Sequence, residues 1–176
     1  MIKEKIENTL PAGRKLPEPI AHICKFLDEN DYPISGCFEL STIGIDSMEY
    51  WFINNPEAVK QLIPFGRGAC GDVYCLWLTQ GLAENEAPVV MFGSEGELSV
   101  LATNAKEFCK LLCLGYGEVG LEDHSRPGNE YEETEPFRNY ILKIYDFTLP
   151  ETGAEIIDHA SKQFPNFKEW EEKYAR

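Results

Sequence analysis

Basic residues are scarce in this chain. Sixteen lysines and arginines stand against 30 acidic residues, a formal charge of −14, and this shortage excludes a phosphate-backbone ligand, whose affinity is built from clustered Lys and Arg. Long apolar runs are missing too. No window approaches the roughly 20 consecutive apolar residues of a membrane-spanning helix, and the opening MIKEKIENTLPAGRKLPEP lacks the apolar stretch of a secretory leader. The expectation is a cytoplasmic protein that binds neither membrane nor nucleic acid directly.

Close cysteine pairs are also absent. The cysteines stand at 24, 37, 70, 75, 109 and 113, and their tightest spacings are Cys109-x3-Cys113 and Cys70-x4-Cys75, so the C-x2-C pairing typical of structural zinc is lacking. Without a leader pointing to an oxidising compartment, the cysteines are expected as reduced, buried small hydrophobes, with neither disulfide nor metal. His22, His124 and His159 belong to no recognisable motif, which leaves a nucleophile such as Cys70 or Cys75 without an evident base. No cofactor is expected. Glycines 66, 68, 71, 93 and 96 precede apolar β-rich runs, where they suit turns better than a phosphate cradle at a helix N-terminus. The acidic run 130–135 lacks the spacing and glycine of an EF-hand.

What the chain does have is 43% apolar and 12% aromatic residues over 176 positions, enough for one core and cramped for two. Residues 1–18 read as an N-terminal extension. Ile20, Ile23 and Leu27 recur at helical spacing after Pro19, predicting a helix from Pro19 to Asn30. After the short apolar run 37–40, a D-x-x-E box at Asp46 and Glu49 predicts a helix carrying Met48, Trp51 and Phe52, and Asn55 before Pro56 predicts another.

The period then changes. The runs 62–65, 72–78, 88–92 and 98–102 are β-rich, and their connections are too short for crossover helices, which predicts an antiparallel meander of four or more strands. The run 73–78 is apolar on both faces and belongs inside the sheet. Asn104 and Glu107 cap a helix bearing Phe108, Leu111 and Leu112 that Gly115 ends. Residues 117–135 show no apolar period and read as an acidic, mobile surface loop; 136–176 read as C-terminal helices, opened in turn by the boxes Thr152/Glu155 and Asn166/Glu169. Trp51, Trp77 and Trp170 fall on periodic apolar faces and are expected in the core. The fold class is α+β, a single domain with a sheet flanked by N- and C-terminal helices.

The runs PISGCFELS (33–41), YWF (50–52), IPFGRGACGDVYCLWL (63–78), APVVMFGSEGELSVLA (87–102) and NAKEFCKLLCLG (104–115), in this order and spacing, resemble the SUKH superfamily, built around homology to the yeast cell-wall-synthesis regulator. The C-terminal FPNFKEW is similar to the ending of one bacterial branch. The resemblance implies a SUKH-like fold without catalytic residues. It also implies a protein-binding function: an immunity protein that neutralises a cognate toxin such as a basic nuclease or deaminase, or alternatively a regulatory hub. The cysteines and the long acidic loop depart from the pattern.

In a meander, alternate turns share an end. Arg67 and Asp72 flank turn one, Glu95 and Glu97 belong to turn three, and all four are expected at one end as candidate partner contacts, while Glu84 and Glu86 project from the other. The structural alternative is that Asp72 and Glu95 shape their turns and that Glu97 is solvated.

Overall fold

The computed structural model describes residues 1–11, 13–53 and 55–175. A five-stranded antiparallel sheet in sequence order runs through it: β1 (Glu39–Leu40), β2 (Leu62–Arg67), β3 (Val73–Trp77), β4 (Val89–Phe92) and β5 (Leu98–Ala102). The expected meander is therefore present, with one further strand. β3 is central and every one of its residues is buried, as the apolar run on both faces requires.

The pleat divides β3 between two cores. Tyr74 and Leu76 face one that includes Ile6, Ile20, Ile23, Phe38, Phe108 and Phe137. Val73, Cys75 and Trp77 face the other, with Met48, Phe52, Phe92 and Phe167. The first face is covered by α1 (Ile2–Glu7), α2 (Glu18–Asn30), α5 (Ala105–Leu112) and α6 (Glu135–Ile144). The second is covered by α3 (Gly44–Trp51), α4 (Pro56–Val59) and α8 (Phe167–Tyr174). α7 (Ala154–Gln163) contributes Ile156 to the first core and Ala160 to the second.

Several local expectations hold in detail. The Asn55 side chain accepts from Glu57 N at the start of α4, and Asn104 Oδ1 accepts from Glu107 N at 2.9 Å at the start of α5. Gly115, at φ +71°, stops the chain after α5, where a Cβ would meet the Tyr131 backbone at 2.5 Å.

The N-terminal extension, kept within the single domain, is seen to pack: α1 lies on α2, with Ile6, Leu10 and Leu16 buried. Other expectations are corrected. Asp46 lies in the first turn of α3 and does not cap it; the helix starts at Gly44, after Ser41 Oγ accepts from Ile43 N. Thr152 and Asn166 likewise make no side-chain cap, and α7 starts after Gly153. The segment 117–135 is tied down. Tyr116 Oη donates to the Arg126 carbonyl at 2.7 Å, Gly117 N donates to Asn129 Oδ1, Ala154 N donates to the His124 carbonyl, and Val119 and Thr134 are buried. Ile144, spaced with Phe137 and Ile141 for one helical face, is 37% exposed.

Candidate functional site

Turns one and three do meet. Ser94 N donates to Asp72 Oδ1 at 3.2 Å, joining the β2–β3 turn to the β4–β5 turn at one end of the sheet. Glu95 N donates to Glu97 Oε2 at 3.2 Å, so Glu97 shapes the tip of turn three while both side chains stay exposed. At the opposite end, Glu84 pairs with Arg14 at 3.2 Å.

The four expected contact residues do not form one cluster. Asp72 is 0% exposed and cannot touch a partner in this conformation: Oδ1 spans the two turns, and Oδ2 is buried without a hydrogen-bond partner. In this structure it joins turn one to turn three. Arg67 is engaged across the β1–β2 ladder, where its Nε donates to Glu39 Oε2 at 2.9 Å. Glu95 and Glu97 remain as exposed carboxylates, Glu97 with one oxygen engaged by Glu95 N.

Beside them lies a feature that sequence reasoning missed. α3 runs past the turn end of the sheet and leaves an open groove of about 1300 Å³ between itself and Gly71, Val73, Phe92 and Ser94. Met48 and Phe92 form a buried floor. Tyr50 is 89% exposed, and Ile53, just past the helix end, is 75% exposed. Trp51, expected in the core, is half-buried on the groove wall; its Nε1 donates to Glu171 Oε1 at 2.7 Å and its ring meets Phe92 edge-on at 5.2 Å. The charged residues of the lining among the described residues, Asp46 and Glu49, are both acidic. The signal was in the sequence. Tyr50, Trp51, Phe52 and Ile53 are consecutive large apolar residues at the end of a short helix, and consecutive side chains around a helix end cannot share one face. Phe52 takes the buried direction, which turns Tyr50 and Ile53 outward.

On the other side of the sheet end, Glu118 carries a carboxyl pushed up from the ordinary glutamate value by burial and by the nearby carboxylates of Asp72, Glu122 and Glu130. The same end raises the Tyr74 hydroxyl, chiefly through burial, and Gly120 N donates to it at 3.2 Å.

The cysteines are all free. Burial pushes the Cys75 thiol well above its ordinary value, the wrong direction for a thiolate nucleophile. Cys70 is exposed. His124 is held by the Val119 carbonyl at 2.7 Å and by the Tyr116 ring, and His22 lies edge-on to Tyr145. Among the described residues no group of three His, Cys, Asp or Glu side chains is placed to hold a metal ion, and no helix is long and apolar enough to cross a membrane. No family model, curated protein or solved structure matches the chain.

Proposed function

We propose that this chain is a non-enzymatic protein-binding domain, an immunity protein that binds and neutralises a cognate protein toxin in the cytoplasm. The observation that carries the reading is the exposure of Tyr50 and Ile53 beside an open groove with a buried apolar floor. Large apolar side chains held in water at a concave surface are the anchors that protein interfaces bury. The resemblance to SUKH proteins supplies the toxin as the class of partner. The charge of −14 suits a basic nuclease or deaminase, because opposite charge steers encounter.

Co-purification from the parent cell, followed by expression of the recovered partner alone and with this chain, tests the proposal. One stoichiometric partner that arrests growth alone and is relieved by co-expression is the expected result. Several partners, none of them growth-inhibiting, would replace immunity with the regulatory-hub reading, and recovery of no protein would remove protein binding itself.

A further inference from the structure

The groove beside α3 carries more chemistry than a generic sticky patch. Its wall is fixed in advance, because Trp51 is held from behind by Glu171 and from below by Phe92, so little side-chain entropy is lost when something packs on it. Its charge has one sign. Asp46 and Glu49 line it, no lysine or arginine among the described residues does, and Ser94 brings turn three to its edge, with exposed Glu95 and Glu97 next in the chain. The apolar anchors Tyr50, on the short helix that carries Asp46 and Glu49, and Ile53, just past its end, line the same groove as those carboxylates.

This combination discriminates between occupants. A second copy seated isologously would bring Asp46 and Glu49 against their own equivalents in a chain of charge −14, like charges at close range. A nucleic acid or an anionic lipid surface would meet the same repulsion, with no cation among the described lining residues to offset it. A segment with apolar side chains for the aromatic wall and cations for the carboxylates satisfies both features at once.

Building on the protein-binding reading, we infer that the α3 groove receives a cationic, amphipathic segment of the partner. An apolar side chain of that segment packs against Tyr50, Trp51 and Ile53, and its lysine or arginine groups face Asp46, Glu49, Glu95 and Glu97. The acidic groups speed encounter and select the sign of charge; the apolar anchors slow dissociation.

The test uses a short amidated peptide with Lys and Leu at helical spacing, and its counterpart with Glu in place of Lys, each titrated into isotope-labelled protein and followed by amide NMR shifts. The cationic peptide is expected to move Tyr50, Ile53, Gly71 and Ser94 saturably, less so at high salt, and the anionic peptide is not. Tyr50→Ala combined with Ile53→Ser alters two exposed side chains and leaves the core intact; it is expected to weaken binding by about tenfold or more. Asp46→Asn with Glu49→Gln is expected to weaken it severalfold and to flatten the salt dependence. Shifts centred on the 117–135 segment, equal shifts with the anionic peptide, or unchanged affinity in the Tyr50/Ile53 variant would overturn the inference. So would a wild-type dimer in sedimentation that the same variant abolishes, since that makes a second copy the occupant. If a partner recovered from the parent cell binds wild type and the Tyr50/Ile53 variant equally, the groove assignment fails while protein binding stands.

Discussion

Two glutamates show how opposite surroundings give opposite pH dependence. Burial and three neighbouring carboxylates raise Glu118 above the ordinary 4.5, so the folded state holds this proton more tightly than the unfolded state does. The ionised form therefore costs stability near neutral pH, and the cost vanishes as pH falls below the unfolded value. Glu118→Gln should raise the melting temperature near neutral pH, with the gain closing toward acid. Glu7 runs the other way. Burial would raise it, but the Leu16 N–H and the ammonium groups of Lys15 and Lys3 outweigh burial and hold it below 4.5. Its contribution is present above 4.5 and lost as pH falls through the lowered folded value, so Glu7→Gln should destabilise near neutral pH and converge with wild type in acid. Urea melts of both variants across this range check both signs; parallel pH profiles for the two would contradict them.

The thiols make a second test at this scale. Cys37 and Cys70 are exposed, whereas Cys24, Cys75, Cys109 and Cys113 are buried, and burial pushes the Cys24 and Cys113 thiols up to about 12. A thiol reagent added to the native protein should modify exposed Cys70 readily, Cys37 more slowly because burial and the nearby Glu118 and Glu130 carboxylates raise its thiol, and the other four at the rate of unfolding. Fast reaction of Cys75 would mean that the central strand opens.

Among the elements, β3 and α5 were legible because their signals are local: an unbroken apolar run in one case, an Asn cap three residues before a glutamate in the other. Asn104→Ala should cost about 1 kcal/mol by chemical denaturation, the usual worth of an N-cap. β1 was not legible. It has two residues, and its strand character depends on pairing Glu39 with Arg67 and Leu40 with Gly66 across the chain. α1 escaped because only Ile6 of its residues is fully buried, too few to set up a helical period. The 117–135 segment misled for a related reason: single hydrogen bonds to Tyr116, Asn129 and His124 order it, and such bonds leave no trace in hydropathy. The candidate site was half legible. Strand alternation put turns one and three at one end, but burial of Asp72 and capture of Arg67 by Glu39 depend on contacts between distant residues.

Across the whole molecule, the second core is an aromatic stack that ties the C-terminus to the sheet. Trp170 contacts Phe52, Trp77, Phe167 and Tyr174, and its Nε1 donates to Gln61 Oε1 at 3.0 Å. α8 thus supports the groove as well as the core, because Glu171 on the same helix holds Trp51. Trp170→Ala should cost about 3–5 kcal/mol, as truncation of a well-packed large aromatic does. It should also release Trp51, visible as a shifted indole resonance. A loss under about 1 kcal/mol would mean that α8 is dispensable for the second core.

The proposed function has one end of this acidic chain, of formal charge −14, meet a basic partner, and association kinetics test that proposal most directly. Charge reversal of Glu95 and Glu97 together, in two exposed side chains of turn three, should slow association with the recovered partner at low ionic strength. The difference should shrink as salt screens the field. Stopped-flow rates that the double reversal leaves unchanged at low ionic strength would contradict a partner surface at this end of the sheet.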